Sequence, residues 1–495
     1  MTMSARRARA AVLVLLAVVA LVASACSQSG LPAPLPPQPR PHVAGSQPNI
    51  VFVLTDDLSL NLISHMPHVL ALQRAGTTMS HYYVVDSLCC PSRSAIFTGK
   101  YPHDDGVFTN HPPDGGYDAY NKHGNVQQAF PVALRKQGYR TALLGKYLNG
   151  YQPTDFPALG YDEWDVAGDG YPEFDYTLNQ NGIQQAYGHA AKDYLVDVLS
   201  AKAAAFIKTS ASERKPFFLE VATFAPHKPY TPAPRYADAV PDLRYPRTSA
   251  YDTLPTDPPR WLRSLPPLTA RQQAGIDQDY RQRVRADLAV DDLIANLQKT
   301  LRAAGVAANT YVVFSSDNGY HMGENRLLPG KQTAFDTDIH VPLVVTGPGV
   351  PVGATVRALA SNIDLAPTFE TLGGAPIGQH VDGVSLVPLW HGAATPSNWR
   401  QAVLVEHHGP NDDRGDPDRQ GLRSGDPPTY EAVRTADVLY VRYADGAQEY
   451  YNTTRDPYER HNLAAHGVPA SLTRALAALA GCHGATRCQA AARLG

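Results

Sequence analysis

Two short apolar segments, residues 49–54 and 310–315, are each followed at once by side chains that bind hard cations. These side chains are Asp56, Asp57, Asp317 and Asn318. Their carboxylate and amide oxygens suit Ca²⁺ first and Mg²⁺ second. A single Asp after a strand often caps a turn instead. Because two separate segments end in the same way, we favour a shared metal site over two unrelated turns.

Four of the five cysteines form two close pairs in the sequence. Cys482 and Cys488 lie in one short C-terminal segment, and we expect them to form a disulfide outside the cytoplasm. Cys89 and Cys90 are adjacent, and adjacent cysteines rarely bridge because the resulting ring is strained. They begin the segment Cys-Cys-Pro-Ser-Arg over residues 89–93. This second pair therefore needs an explanation other than a disulfide.

These residues need a scaffold that brings them together. Continuous apolar runs with β-branched residues predict buried strands over residues 49–54, 141–144, 217–222, 310–315 and 341–346. Residues 91–98 predict a helix with Pro near its start, and residues 276–301 carry apolar side chains at helical spacing. Alternating strands and helices with polar groups at strand ends predict an α/β sheet whose carboxyl edge carries the site.

The pattern of apolar residues changes after about residue 397. Three segments predict a small antiparallel sheet, namely residues 403–406, 438–442 and 449–451. A helix is predicted over residues 472–479, and the Gly-, Asp-, Pro- and Arg-rich residues 409–428 predict a long exposed loop. We therefore expect a large α/β domain over residues 49–397 and a smaller antiparallel subdomain over residues 398–495.

The first residues have the pattern of an export signal. Arginines precede an apolar stretch, residues 10–23, which is too short to span a bilayer comfortably. We assign residues 1–25 to a signal peptide and residues 26–48 to a Pro-rich linker. Cys26 follows small residues as in a bacterial lipoprotein signal, although an ordinary cleaved signal is the alternative. We expect export, with a lipid on Cys26 as the one membrane attachment at a bacterial cell surface, or secretion otherwise.

The composition narrows the class of protein. The chain has 495 residues, of which 43% are hydrophobic and 18% charged, and these values exclude wholesale disorder. Lys and Arg number 43 against 46 Asp and Glu. A nucleic-acid or polybasic membrane-surface binder usually carries a basic excess, so we expect neither kind of partner.

The segment at residues 89–93 matches the Cys-x-Pro-x-Arg signature of type I sulfatases, in which the first Cys is oxidised to formylglycine. Further segments occur in the family's order, which are Asp56-Asp57, Gly145-Lys146-Tyr147, Ala225-Pro226-His227, Asp317-Asn318-Gly319 and Gly330-Lys331. The sequence is particularly similar to N-acetylglucosamine-6-sulfatases through Cys-Cys-Pro-Ser-Arg, Gly-Lys-Tyr-Leu-Asn and Asp-Asn-Gly-Tyr-His. The resemblance implies an alkaline-phosphatase-like fold, with a mixed, largely parallel sheet sandwiched by helices.

The resemblance also implies the cofactors and the site. A formylglycine-generating enzyme would convert Cys89, which would then bind Ca²⁺ or Mg²⁺ together with the four oxygen donors. The residues implied to hold the hydrated aldehyde or the sulfate are Arg93, Lys146, His227 and Lys331. Weaker candidates for substrate binding are Asn149, Lys228 and His321. The expected substrate is a sulfated sugar, another sulfated small molecule or an aryl sulfate.

The family mechanism is a covalent one. A hydroxyl of the formylglycine hydrate attacks sulfur and expels the alcohol, and loss of a proton from the second hydroxyl then releases sulfate and restores the aldehyde. Many sulfatases carry a His two residues after the counterpart of Lys146 as the base for that release. Leu148 stands there in this chain. The base is therefore open, with His321 and His103 as candidates.

Two other functions fit part of this pattern. A formylglycine-dependent phosphonate monoester or phosphodiester hydrolase would share nearly every residue named above. A catalytically inactive, carbohydrate-binding lipoprotein would keep the fold but leave Cys89 as a thiol. The intact set of Cys, Arg and Asp residues favours an active sulfatase over both alternatives.

Overall fold

The computed structural model describes residues 47–410, 413–421 and 423–494. The predicted signal peptide, Cys26 and nearly all of the Pro-rich linker lie outside these residues. Within the described part of the chain, no helix combines the length and the apolar character needed to cross a bilayer.

Sixteen strands occur among the described residues. In chain order they are β1 (Asn49–Thr55), β2 (Thr77–Met79), β3 (Tyr82–Tyr83), β4 (Arg140–Lys146), β5 (Glu163–Ala167), β6 (Thr177–Gln180), β7 (Ile183–Ala186), β8 (Phe217–Ala222), β9 (Thr310–Ser316), β10 (Leu343–Thr346), β11 (Ala354–Val356), β12 (Ala360–Ser361), β13 (Val403–His407), β14 (Tyr430–Arg434), β15 (Val438–Tyr443) and β16 (Gln448–Asn452).

The described residues also form α-helices of four to 34 residues. In chain order they are α1 (Pro67–Ala75), α2 (Cys89–Thr98), α3 (Pro102–Asp105), α4 (Gly116–Lys122), α5 (Asn125–Gln128), α6 (Phe130–Lys136), α7 (Leu195–Glu213), α8 (Arg260–Arg263), α9 (Ala270–Ala303), α10 (Asp336–Ile339), α11 (Leu365–Leu372), α12 (Val387–Trp390), α13 (Ala470–Leu479) and α14 (Ala485–Ala491).

Ten strands form one large mixed sheet in the order β11-β2-β10-β9-β1-β8-β4-β5-β6-β7. The five central strands, β9, β1, β8, β4 and β5, are parallel. Antiparallel strands flank them on both sides. This arrangement confirms the predicted mixed sheet, in which the parallel strands occupy the buried centre.

Helices cover both faces of this sheet. Along β1, Ile50, Phe52 and Leu54 pack into the core with α2, α6 and α11. Val51 and Val53 point the other way, toward α1, α7 and α9. Alternate residues of a strand face opposite sides of a sheet, so a strand that is apolar throughout requires cover on both.

The parallel centre brings the predicted site residues together. Strand β1 pairs with β9 so that Thr55 lies opposite Ser316, and it pairs with β8 so that Leu54 lies opposite Ala222. Strand β4, which ends at Lys146, lies on the other side of β8. The carboxyl ends of four neighbouring strands therefore meet at one edge of the sheet, where α/β folds place their ligands.

The predicted elements are found, and their ends differ for local reasons. The long helix begins at Ala270 rather than Ile276, because the Thr269 and Gln272 side chains form a reciprocal cap at its start. Helix α2 begins at Cys89, two residues before the predicted start. The run at 341–346 is a strand only from Leu343, and it is antiparallel to β9.

The C-terminal part contains the predicted small antiparallel sheet, in the order β13-β14-β15-β16. Strand β14 was not predicted. Helix α13 packs on this sheet through Leu472, Leu476 and Leu479. The predicted disulfide between Cys482 and Cys488 is present.

His103 links helix α3 to this C-terminal part. Its Nδ1 lies 2.9 Å from Glu406 Oε2 and its Nε2 lies 2.8 Å from the Cys482 carbonyl oxygen. Both ring nitrogens therefore face acceptors, which requires the doubly protonated imidazolium. Burial lowers the pKa of His103, but the hydrogen bond and charge of Glu406 outweigh it and raise that pKa to about 9.

We expect His103 to make the stability of the fold depend on pH. Its folded pKa lies above the ordinary value, so its contribution is fully present below about pH 6.5 and is lost as the pH rises to about 9. Comparison of wild type with His103→Gln by denaturant unfolding should show a difference of about 1–2 kcal/mol at pH 6. That difference should shrink by pH 9, and a constant difference across this range would contradict the assignment.

Candidate active site

Cys89 lies at the first position of helix α2 and is completely buried. Its Sγ donates to Asp56 Oδ1 at 3.0 Å, and Lys331 Nζ donates to Sγ at 2.9 Å. The helix ends at Gly99, whose φ of 70° suits a residue without a side chain. The first residue of the Cys-Cys-Pro-Ser-Arg segment therefore lies between the carboxyl edge of the sheet and a buried ammonium group.

Asp57 joins the loops that follow β1 and β9. Its backbone N–H donates to Asp317 Oδ1 at 3.2 Å, and Asn318 Nδ2 donates to Asp57 Oδ1 at 2.7 Å. Asp57 has φ of 65°, which is uncommon for a residue other than glycine. Strain of this kind persists only where the surroundings impose it, and it is concentrated at functional sites.

The oxygen donors at this edge fit a hard cation. Donor atoms of Asp56, Asp57, Cys89 and His227 lie within 4.8 Å of one another. The Oδ1 atom of Asn318 is buried and has no hydrogen-bond partner. A buried amide oxygen without a donor is costly, and a cation would satisfy it. The clustered group shares Asp56, Asp57 and Cys89 with the predicted ligand set, and it contains His227 in addition.

Arg93 lies one helical turn after Cys89 and is fully buried. Its Nε donates to Asp317 Oδ2 at 2.7 Å, and its Nη1 donates to the Lys146 carbonyl oxygen at 3.2 Å. Its Nη2 has no partner. Arg93 therefore ties the helix to the ends of β9 and β4 and keeps one donor free for an anion.

Lys146 and Lys331 bring two positive charges to the carboxylates. Lys146 Nζ forms an ion pair with Asp56 Oδ2 and lies 5.0 Å from the centre of the Tyr171 ring. Lys331 Nζ lies 2.6 Å from Asp57 Oδ1. Burial opposes the charged form of both lysines, but the neighbouring carboxylates outweigh it and raise the pKa of each well above its ordinary value. The charged form of both side chains is therefore favoured.

Asp418 is a buried carboxylate at this site that was not among the residues predicted from the sequence. Its Oδ1 accepts from Lys331 Nζ at 2.7 Å and lies 2.7 Å from His227 Nε2. Burial disfavours its charge, but Lys331 and His227 hold the pKa of Asp418 well below its ordinary value. Burial likewise disfavours the charged form of His227, and Asp418 and Asp57 outweigh this and raise its pKa. Asp418 therefore keeps His227 and Lys331 charged and side by side.

The surroundings of the Cys89 thiol oppose ionisation. Burial, followed by the charges of Asp418 and Asp56, raises the pKa of Cys89 well above its ordinary value, although Lys146 and Lys331 act in the opposite direction. The thiol form is therefore favoured, and a thiol is a far weaker nucleophile than a thiolate.

A cavity of about 390 Å³ lies next to these groups. Asn149, Tyr171 and Asn110 are among its lining residues. The Asn149 amide donates to the Tyr171 hydroxyl at 3.2 Å, and its own Oδ1 is buried without a partner. Asn110 donates to Asp418 Oδ2 at 2.8 Å. The cavity therefore has the size of a small-molecule site.

Three predicted residues lie outside this cluster. His321 faces Asp338 through Nδ1 at 3.0 Å and the Ser424 carbonyl oxygen through Nε2 at 3.2 Å. His103 binds Glu406 and Cys482 as described above. Lys228 is exposed, and its contact with His227 is through its backbone carbonyl. Neither of the two histidines considered as the base faces Cys89.

The prediction that residues 409–428 form an exposed loop is wrong where the loop meets the site. The described residues of the segment, 409–410, 413–421 and 423–428, form no helix or strand, as predicted, but Asp416 and Asp418 are buried. Asn110 holds both carboxylates, which brings the loop over the carboxyl edge of the sheet. A loop rich in Asp and Gly gives no periodic signal for such contacts, so nothing in the sequence distinguished Asp418 from its neighbours.

We expect Asp418→Asn to lower kcat/KM by about 10–100-fold, the effect of weakening a buried hydrogen bond between charged groups. The change removes the charge that aligns His227 and Lys331 while keeping the size of the side chain. Arg419→Gln, in the same loop but exposed, is the matched control and should retain full activity. Equal kinetics for the two variants would show that Asp418 does not act on the site.

Comparisons with known proteins agree with this geometry. The sulfatase family model matches residues 48–375, and the model of the C-terminal part of N-sulphoglucosamine sulphohydrolase matches residues 323–479. The N-acetylglucosamine-6-sulfatase of Homo sapiens is 35% identical over 452 residues, which cover 84% of this chain and 81% of that protein.

Two solved structures share the fold. One is described as a complex with its substrate D-glucosamine-2-N,6-O-disulfate, and it has a TM-score of 0.74 and 23% identity over 88% of this chain and 97% of that one. The other is a phosphonate monoester hydrolase from Silicibacter pomeroyi, with a TM-score of 0.65 and 22% identity over 86% of this chain and 93% of that one. At these identities the likeness concerns the fold alone.

Proposed function

Because this chain belongs to the sulfatase family, we propose that it hydrolyses the sulfate monoester of a sulfated sugar through a formylglycine made from Cys89 and a bound Ca²⁺. The observation that carries the proposal is the position of Cys89 Sγ, 3.0 Å from Asp56 Oδ1 and 2.9 Å from Lys331 Nζ. In the modified residue an oxygen replaces this sulfur. A nucleophile at that point has a carboxylate to direct it and an ammonium group to stabilise its negative charge.

Formylglycine would supply a hydrated aldehyde, whose two hydroxyl groups on one carbon allow sulfate to be released by elimination. The high pKa of the Cys89 thiol supports the need for such a modification, since the thiol itself is a poor nucleophile. Arg93 would hold a hydroxyl group of the hydrate through its unpartnered Nη2.

The residues that would hold the cation are Asp56, Asp57, Asp317 and Asn318, together with the modified Cys89. A bound Ca²⁺ would neutralise charge on the sulfate and on the attacking oxygen. In the structure, the buried lysines neutralise Asp56 and Asp57 at the same place. A cation bound to these carboxylates would free Lys146 and Lys331 for the sulfate oxygens.

His227 would protonate the leaving oxygen of the alcohol. The charge of Asp418 favours its protonated form, and it is buried beside Asp57 and Tyr171. The sugar would occupy the adjoining cavity, where Asn149 is among the lining residues. Leu148 is buried and cannot take a proton, so this assignment leaves the final deprotonation to another group.

A panel of substrates tests this proposal. N-acetylglucosamine 6-sulfate and 4-nitrophenyl sulfate should both be hydrolysed, with the higher kcat/KM for the sugar. A chelator should abolish both activities, and Ca²⁺ should restore them better than Mg²⁺. Absence of sulfate release from every sulfated sugar and aryl sulfate would refute the proposal.

The rival phosphonate monoester or phosphodiester hydrolase would use the same residues. Parallel kinetics with 4-nitrophenyl sulfate and 4-nitrophenyl phenylphosphonate separate the two, because the leaving group is identical. We expect sulfate ester hydrolysis to be faster. A clear preference for the phosphonate would support the rival function, and binding of sulfated sugars without turnover would support the inactive lipoprotein.

We also propose that the protein is exported and is modified before it folds. Cys89 is completely buried, so a formylglycine-generating enzyme would need the unfolded segment. The basic and apolar residues 1–25 support export. A lipid on Cys26 remains part of this proposal, and mass spectrometry of the mature N-terminus tests it.

A further inference from the structure

A buried arginine lies directly behind the proposed metal site. Arg283 is in the middle of helix α9, and its side chain is 0% exposed. Its Nη2 donates to the backbone carbonyl oxygen of Asp57 and lies 3.4 Å from Ser59 Oγ. Burial of a guanidinium is costly unless the surroundings compensate for it.

The guanidinium also contacts two aromatic rings. Its central carbon lies 4.2 Å from the centre of the Tyr320 ring and 5.8 Å from that of the Tyr230 ring. The two tyrosine hydroxyls are 2.8 Å apart and hydrogen-bonded to each other. A cation stacked on aromatic faces is stabilised without a carboxylate at hydrogen-bond distance.

The contacts of Arg283 with Asp57, Tyr320 and Tyr230 reach three of the loops that carry the site. Asp57 follows β1, Tyr320 comes two residues after Asn318 beyond β9, and Tyr230 comes three residues after His227 beyond β8. One side chain of a rigid 34-residue helix thus touches the loops of three neighbouring parallel strands.

Asp57 has a particular need for such support. Its φ of 65° places the backbone in the left-handed region, which an aspartate adopts at a cost of about 1–3 kcal/mol. The hydrogen bond from Arg283 to its carbonyl oxygen favours the peptide orientation that goes with this conformation. That orientation directs the Asp57 carboxylate toward Asn318 and Lys331.

We propose that Arg283 is a positioning residue that holds Asp57 and its neighbouring loops in the geometry required for binding the cation. The inference rests on the proposed function, because the cation is part of it. Arg283 acts through the Asp57 backbone and the two tyrosines, and it touches neither the substrate nor the reacting atoms. Its predicted effect is therefore on cation affinity first and on turnover through that affinity.

The test compares Arg283→Lys and Arg283→Met with Arg281→Gln. Arg281 is on the same helix, half-buried, and donates to the Leu243 carbonyl oxygen. Calcium binding to the metal-free proteins is measured by titration calorimetry and by the rise in Tm on addition of Ca²⁺. We expect about tenfold weaker binding for the Lys variant and about 100-fold for the Met variant, the range typical of groups that orient metal ligands. Arg281→Gln should bind as wild type does.

Rescue separates positioning from a merely structural role. Excess Ca²⁺ should restore kcat of Arg283→Lys on a sulfated sugar, and the fraction of modified Cys89 should equal that of wild type. If the variants bind Ca²⁺ like wild type and differ only in Tm without Ca²⁺, Arg283 is structural and the inference is overturned. If wild type itself neither binds Ca²⁺ nor releases sulfate, the proposed function has failed along with it. If Arg283→Met does not fold, calcium binding by Arg283→Lys alone tests the inference.

Discussion

Replacement of Cys89 by alanine is expected to lower kcat on a sulfated sugar by about 10⁴-fold or more, the loss typical of removing a covalent nucleophile. The side chain is completely buried among Asp56, Lys331 and the start of helix α2, and no other nucleophile occupies that point. Alanine removes the reactive atom but keeps the helix. Substrate affinity should change little, because Lys146, His227 and Lys331 remain to hold the sulfate. Steady-state kinetics with KM and kcat determined separately provide the measurement.

Cys90→Ala is the matched control for this variant. Cys90 is equally buried and free, and it lies in the same turn of α2, but it packs into the apolar core. The control should lose stability of about 1 kcal/mol and retain activity near that of wild type. If Cys89→Ala keeps more than a few per cent of the activity, or if Cys90→Ala is equally inactive, the assignment of the nucleophile is wrong.

The second large effect concerns the metal site. Asp57→Ala is expected to lower kcat/KM by about 10³-fold, because a cation that neutralises the sulfate contributes several kcal/mol to transition-state stabilisation. Loss of this carboxylate removes an oxygen donor and leaves Lys331 without one of its partners. Treatment of wild type with a chelator should reproduce the loss, and added Ca²⁺ should reverse it only in wild type.

Asp165→Asn provides a comparison for Asp57→Ala. Asp165 is a buried carboxylate on β5 of the same sheet, and it is ion-paired with Lys202 at 2.8 Å. Its replacement should affect the stability of the fold and leave the calcium dependence of the activity unchanged. Full activity of Asp57→Ala in the presence of a chelator would show that the activity does not depend on a metal ion.

The residues whose proximity could be predicted from the sequence are those whose position follows from strand order. Asp56 and Asp317 come directly after continuous apolar runs, and parallel strands end at one edge of a sheet. Their proximity therefore needed only the correct identification of β1 and β9. Lys146 and His227 follow by the same argument from β4 and β8, which are the next strands in the sheet.

The residues that the sequence did not reveal depend on contacts between distant segments. Asp418 reaches the site because Asn110 holds its loop, and this contact spans 308 positions of the chain. The sequence gives a weak indication of the role of Arg283, because this residue lies three positions after Tyr280 on the buried face of α9. A charged residue on an apolar helical stripe indicates either a buried partner or a functional contact.

The edge strands of the large sheet were also not predicted from the sequence, for a different reason. Strands β2 and β11 have only three residues each, and β7 is exposed along its length. Such short or solvent-facing strands lack the apolar run that identifies the central ones.

The group that accepts the proton during sulfate release is also unassigned. The structure places His321 and His103 on other partners, and Leu148 remains apolar.

The central claim is that the side chain at position 89 is the formylglycine nucleophile of an active enzyme. Mass spectrometry of the peptide that contains Cys89, taken from preparations of graded activity, tests it most directly. We predict that a –CHO group replaces –CH₂SH at this position alone, and that kcat rises in proportion to the modified fraction while Cys90 remains a thiol. Full sulfatase activity in protein whose Cys89 is entirely an unmodified thiol would contradict the account.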